Sequence, residues 1–335
     1  MKKNYISALA VLACVAVFCT ISGNSFHQMR TATEEIIPGE GVTEVRMLSD
    51  YFPDLAGTAG DTQIYVLQGE QEGGSCLILG GTHANELGGH MGAVLFVENA
   101  KVEAGTLYVI PRTNNSDPDV YVNYMGQSLS GSENRNINRT YPGKADGTLT
   151  EMMSYGIVQL INTENIDVTV DLHEASPEYP VINALIAHER AMNLASNVVV
   201  DMQMEGVQIS LEPSPTDLRG LTHRELGDHT DTLALLMEAP NPAQGRLRDR
   251  TDEALVLTGK SETYVKAGEI GQLYVPYDEN GWPIEVRCAR HVFGIERILA
   301  NYSEMYEEPI IVTGMPSYDE LVKNGMGPYL NEPTT

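Results

Sequence analysis

The sequence predicts an α/β protein, a three-layer α/β/α domain around a mixed, largely parallel central sheet. Three observations predict it. From Gln63 onward, short apolar runs alternate with longer helix-like stretches. The runs are continuously apolar, as strands covered on both faces must be. His83, His173 and Glu238 lie at or just past the carboxyl ends of such runs, where open α/β sheets place their sites.

The chain begins Met1-Lys2-Lys3, followed by an apolar run from Ile6 to Ile21. Lysines ahead of such a run mark a secretory signal, and Thr20 and Ser22 are small enough for a cleavage site. An uncleaved membrane anchor is the alternative, although a span needs about 20 apolar residues. Residues 1–23 are thus expected to be a leader or anchor, and the protein to be extracytoplasmic, secreted or tethered through this segment alone. Residues 24–62 are mixed and are expected to wrap the domain edge. Residues 63–305 form the main domain. Its expected strands are Ile64–Leu67, Cys76–Leu79, Leu107–Ile110, Val168–Leu172, Ala184–Ala187 and Leu233–Met237. Its expected helices are Leu87–Ala100, Thr150–Asn162, Glu189–Met204 and Val286–Leu299, the last with Val286, Val292, Ile295 and Ile298 as core positions. Asn114–Thr148 is rich in Asn, Gly and Ser and reads as a long loop, and long ordered loops are often functional. Arg246, Arg248 and Arg250 form a basic patch. Residues 306–335 contain several Pro and Gly and are expected to lie along the surface.

At 335 residues the chain can bury a large core. Its 21 Lys and Arg against 46 Asp and Glu give a net charge of -25, which offers no basic face to nucleic acid. Outside the leader the cysteines are Cys76 and Cys288, too few for a disulfide framework or a thiolate metal site.

The stretch that organises the chain is Gly80-Gly81-Thr82-His83-Ala84-Asn85-Glu86. It places a His and a Glu three residues apart where a buried strand gives way to a glycine-loosened loop. Imidazole nitrogen and carboxylate oxygen suit zinc, and a catalytic zinc takes three protein ligands with one position open. The competing reading is a surface His beside a Glu favoured by a helix N-terminus. Asp171-Leu172-His173 supplies a third donor at the end of a second apolar strand. Two more motifs add to the pattern: Arg135-Asn136-Ile137-Asn138-Arg139 in the long loop, and Leu235-Leu236-Met237-Glu238.

In this order the four motifs resemble the zinc carboxypeptidase superfamily, and within it the branch of succinylglutamate desuccinylases and aspartoacylases. The resemblance covers roughly Gln63 to Pro242. It implies one zinc ion per chain, held by His83, Glu86 and His173. It makes Glu238 the general base, which takes a proton from water and passes it to the leaving nitrogen. It gives Asn138 and Arg139 a substrate carboxylate to hold, through the paired hydrogen bonds that guanidinium and amide groups offer. Arg135 would stabilise the oxyanion, with Arg112 as a competitor for that role. His223 and Arg224 lie on the segment before the Glu238 strand and are candidates for substrate contact, against a solvated loop. His229 reads as structural. Asp171 shares a strand face with His173 and either orients it or is an ordinary strand-end acid.

The expected function is therefore a zinc-dependent hydrolase that cuts an amide bond next to a free carboxylate, acting on N-acyl amino acids. The alternative is an exported metallocarboxypeptidase acting on peptides or cell-wall fragments, since the leader departs from the intracellular desuccinylases. A reading from another class is a non-catalytic carboxylate-binding protein on the same scaffold. The expected partner is a small carboxylate-bearing substrate or a peptide C-terminus.

Overall fold

The computed structural model describes residues 2–31, 36–83, 85–115, 136–247 and 253–332. Arg135, Arg248 and Arg250 lie outside the described residues. Among those residues nine strands form one sheet, in the order β1-β2-β4-β3-β5-β8-β6-β7, with β9 on the edge of β4. Its centre is β4 (Lys101–Ile110), β3 (Gln71–Leu79), β5 (Val168–Ala175) and β8 (Leu233–Pro240), all mutually parallel. Antiparallel pairings flank this centre: β1 (Glu44–Met47) on β2 (Gln63–Gln68), β2 on β4, and β6 (Ala184–Ala187) on β8. β7 (Ser210–Pro213) runs parallel to β6. The sheet is mixed around a parallel core, as the continuous apolar runs predict.

Successive strand residues alternate between the faces. Cys76, Ile78, Val168, Val170, Leu172, Leu235 and Met237 join one buried cluster. They pack with α2 (Leu87–Asn99), α4 (Met192–Met204) and α8 (Ile284–Tyr306). Leu77, Leu79 and Ala234 face the other side, with Ile157, Leu160 and Ile161 of α3 (Leu149–Glu164) and Leu226 of α5 (Thr222–His229). Helix α1 (Lys2–Thr31) precedes the sheet. No described helix is long and apolar enough to cross a membrane. Each large aliphatic residue in these layers contributes about 1.5–3 kcal/mol by leaving water. Leu77, Ile78 and Leu79 are wholly buried, so the two clusters meet back to back across β3.

The same alternation positions the site. Asp171, His173 and Glu238 share the parity of the α3 and α5 side, whereas Glu174 points toward α2 and α8. Two expectations need correction. His173 and Glu238 were placed just past strand ends, yet both strands run two residues further, to Ala175 and Pro240. The extra residues pair with one another, Glu174 with Ala239 and Ala175 with Pro240, so the ladder holds both side chains in register. The stretch after Tyr306 does more than line the surface. Ile311–Thr313 is β9, and α9 (Tyr318–Asn324; α6 is Glu253–Thr258 and α7 Glu262–Glu269) packs on α8 with Leu321 fully buried.

Buried histidines give the fold a pH dependence. His291 on α8 is 1% exposed and neither ring nitrogen has a hydrogen-bond partner. Burial first, then the nearby Arg290 and His173 charges, push its pKa down to about 3. An unfolded His titrates near pH 6.5. Below that pH the unfolded chain binds a proton that the folded chain refuses, so this contribution to stability is intact above about 6.5 and declines toward pH 3. Denaturant melts of metal-free protein should show His291→Leu gaining on wild type by about 1.4 kcal/mol per pH unit between pH 6 and 4. A stability difference that stays flat across that range would show that His291 takes up a proton inside the folded protein.

Candidate metal centre

The site is assembled by a close approach of α2 to β5. A Cβ on Gly89 would lie 2.5 Å from the Leu172 carbonyl oxygen, and one on Gly88 would lie 2.3 Å from Glu174 Oε1. Only residues without side chains let the helix start this near the strand. Glu86, the residue before α2, is thereby brought against β5. Its Oε2 accepts from the Glu174 backbone N–H at 3.0 Å and lies 2.9 Å from His173 Nδ1. Its Oε1 lies 2.7 Å from His83 Nδ1. The two imidazole rings meet edge to face, with centroids 4.7 Å apart.

His83, Glu86 and His173 therefore converge, with one ligand atom from each lying within 4.8 Å of the others. His83 is partly exposed, and Glu86 and His173 are buried. The far nitrogen of each ring is also held. His83 Nε2 is 2.9 Å from Asn136 Oδ1, and His173 Nε2 is 2.9 Å from Asp171 Oδ2. Asp171 in turn accepts from Thr82 Oγ1 at 2.7 Å. An oxygen acceptor on the outer nitrogen leaves the inner nitrogen as the donor lone pair, the arrangement that orients metal-ligating histidines. Two nitrogens and a carboxylate aimed at one point fit a divalent cation such as zinc.

The electrostatics agree with such a centre. Burial works against the Glu86 charge, but His83 and His173 outweigh it and hold this carboxyl below its usual range. Burial likewise opposes charge on His173, while Asp171 and Glu86 raise its pKa well above the ordinary imidazole value. Without a cation the cluster therefore holds a proton on His173, which a metal must displace.

Glu238 stands opposite His173 in the β5–β8 ladder, so the two side chains leave the sheet side by side on one face. Its Oε2 is buried with no hydrogen-bond partner. Its pKa is pushed up to about 8, by burial first, with His173 pulling against it and Glu86, Asp171 and Glu174 adding to the rise. A carboxyl whose pKa lies near neutrality is suited to exchange protons. Positive charge brought to the cluster would shift it toward its ionised form.

Asn138 reaches the same place from the loop. Its Oδ1 accepts from Thr222 N and Oγ1, at 2.8 and 3.0 Å, and its Nδ2 lies 3.5 Å from His173 Nε2. Arg139 is exposed, with Nη1 donating to the Asn138 carbonyl. Arg224 is placed differently. It is buried and donates to both carboxylate oxygens of Glu189 at 2.9 and 2.7 Å, and to Asp228 at 2.6 Å. Its guanidinium is thus engaged by two acids of the α5 environment. His229 pairs with Glu225 at 3.2 Å. Arg246 donates its backbone N–H to Glu178.

Two contributors were not singled out from the sequence. Asn136 lies within the loop motif, but its role as the partner of His83 depends on where the loop folds back. Glu174 forms a fully buried ion pair with Arg287 at 2.9 Å and accepts from Asn241 Nδ2 at 2.9 Å. It ties the ends of β5 and β8 to α8. Its parity opposite His173 is readable, but Arg287, one of three arginines in an amphipathic helix, gives no sign of a partner 113 residues away.

Comparison with known proteins gives a likeness of fold. No protein-family model matches the chain, and no curated protein matches it. Among solved structures, a metallo-carboxypeptidase from Burkholderia cenocepacia is 12% identical, with a TM-score of 0.52 over 79% of this chain and 66% of that one. The product-bound cell shape determinant protein Csd4 from Helicobacter pylori is 14% identical, with a TM-score of 0.52 over 78% of this chain and 59% of that one. A succinylglutamate desuccinylase from Silicibacter is 20% identical, with a TM-score of 0.41 over 53% of each chain. The chain thus spans about half to two thirds of the length of these proteins.

Proposed function

We propose that the protein is a zinc-dependent hydrolase that cleaves an amide bond next to a free carboxylate, with N-acyl amino acids as the substrate class. The observation that carries this reading is the convergence of His83, Glu86 and His173, with the unpartnered Glu238 carboxyl beside His173 on the next strand. Bound at the cluster, zinc supplies a Lewis acid and lowers the pKa of water toward about 7.

The chain's own residues supply the rest. Glu238 takes the proton of the attacking water at its carboxylate and returns it to the leaving nitrogen. Asp171 and Asn136 hold the two imidazoles in one tautomer. Arg139 and the Asn138 amide nitrogen bind the substrate carboxylate and so set which bond is presented. Arg135 stabilises the oxyanion. Arg224 is better explained by Glu189 and Asp228 than by a substrate.

A second reading, cleavage of a peptide C-terminus outside the cytoplasm, draws on the lysine-preceded apolar run at the N-terminus. The fold likeness to a metallo-carboxypeptidase over 79% of the chain is compatible with it. Turnover of N-acyl amino acids and short peptides by zinc-loaded protein tests the two together. Arg139→Ala tests the shared element. It should raise KM for free-acid substrates with little change in kcat, because a carboxylate contact is equal in ground and transition states. Amidated counterparts should be poor substrates for wild type and little altered by the substitution. Equal cleavage of free-acid and amidated substrates by wild type would remove the carboxylate requirement.

A further inference from the structure

A buried ion pair seldom stabilises a fold more than apolar side chains of the same size would, because both charges lose their water. The Glu174–Arg287 pair is wholly buried on both sides. Its placement gives it another role. Glu174 is joined to both buried members of the metal cluster. It follows His173 in the chain, and its backbone N–H donates to Glu86 Oε2 at 3.0 Å. Its carboxylate accepts from Arg287 Nη1, at 2.9 Å on each oxygen, and from Asn241 Nδ2 at 2.9 Å.

The same carboxylate seats the start of α2. It accepts from the Gly88 backbone N–H, two residues past Glu86. Glu174 Oε1 lies 2.3 Å, and the Arg287 Cβ 3.1 Å, from the point that a Cβ on Gly88 would take. The first turn of α2 therefore rests on the pair, and Glu86 immediately precedes that turn. On its other side Arg287 donates through Nη2 to the Val256 carbonyl of α6. One ion pair thus joins β5, the residue after β8, α2, α6 and α8.

We propose that Glu174 and Arg287 are positioning residues for the metal centre: they hold Glu86 against His173 and so set the affinity for the cation. The proposal rests on His83, Glu86 and His173 being a metal centre. Its consequence differs in sign from a simple effect of charge. By Coulomb's law alone, removing the Arg287 cation would let the cluster hold a divalent cation more tightly. Neutralising both partners together would change little. Positioning predicts weaker binding in both cases, because Glu86 loses the contacts that place it.

The test is competition of the full chain against a chelator for zinc at fixed pH. It is read beside thermal melts without metal and the visible absorption of the cobalt-loaded protein, which reports the geometry of the ligands. Arg287→Met should weaken zinc binding about 10–100-fold. It should also lower Tm, since it leaves a buried carboxylate without its counter-charge. Adding Glu174→Gln to Arg287→Met should restore Tm, yet leave zinc binding about tenfold weaker than wild type with an altered cobalt spectrum. The double variant separates positioning from stability and guards against a folding defect in the single one. Tighter zinc binding by Arg287→Met, or wild-type affinity and cobalt spectrum in the double variant, would overturn the positioning role and leave the metal centre standing. Wild-type protein that binds neither zinc nor cobalt would remove the centre and the role of the pair together.

Discussion

Glu238→Gln should lower turnover by about 10²–10⁴-fold, the usual cost of losing a general base, while metal content stays unchanged. The reason is the ladder. Glu238 pairs in register with His173, so its carboxyl is delivered next to the cluster by the backbone rather than by a mobile loop. The cluster is complete without it, because His83, Glu86 and His173 supply the donors. Glutamine keeps the size of the side chain but cannot accept and return a proton. Substrate binding should survive, because Arg139 and Asn138 come from a different segment. The measurement is kcat beside metal stoichiometry for the one variant. Near-normal kcat would take Glu238 out of the mechanism, and loss of metal together with kcat would make it a ligand.

His173→Ala should abolish metal retention, and turnover should fall below the level left by Glu238→Gln. His173 is buried and fixed on both sides, by Glu86 at Nδ1 and by Asp171 at Nε2. Its loss removes one of three donors and leaves the Glu86 carboxylate with a single imidazole. Asp171→Asn should be milder and still diagnostic. Outer partners of metal-bound histidines commonly account for about 10–100-fold in metal affinity. Competition against a chelator at fixed pH measures both variants. Affinity should also weaken as pH falls, because protons on His173 compete with the cation. Retention of a full metal equivalent by His173→Ala would mean that the cation binds elsewhere.

The sequence by itself determined the architecture and the composition of the centre. Continuously apolar runs such as Cys76–Leu79 and Leu233–Met237 require cover on both faces, which makes a three-layer fold. Residue type and spacing made His83, Glu86 and His173 candidates, because donor chemistry is carried by the side chains themselves, and the family resemblance joined them into one ligand set. Local pattern could not say where the strands stop. The apolar signal ends at Leu172 and Met237, but hydrogen bonding between β5 and β8 continues for three residues beyond each, through His173 and Glu238. A ladder is a property of two segments, and neither records its partner.

Tertiary structure alone decided which polar residues are spent on one another and which are left for a ligand. Arg224 and Arg139 look alike as sequence. In the fold one is buried between Glu189 and Asp228, and the other is exposed beside the site. His223 and His229 sit on one short helix. One is buried with both nitrogens unpaired, and the other pairs with Glu225 at the surface. The physical reason is that hydrogen bonding and burial are settled by neighbours distant in the chain: Asn136 for His83 across 53 residues, Arg287 for Glu174 across 113. Residue chemistry is local, whereas the solvent and the partners that each residue meets are set by the packing of the whole chain.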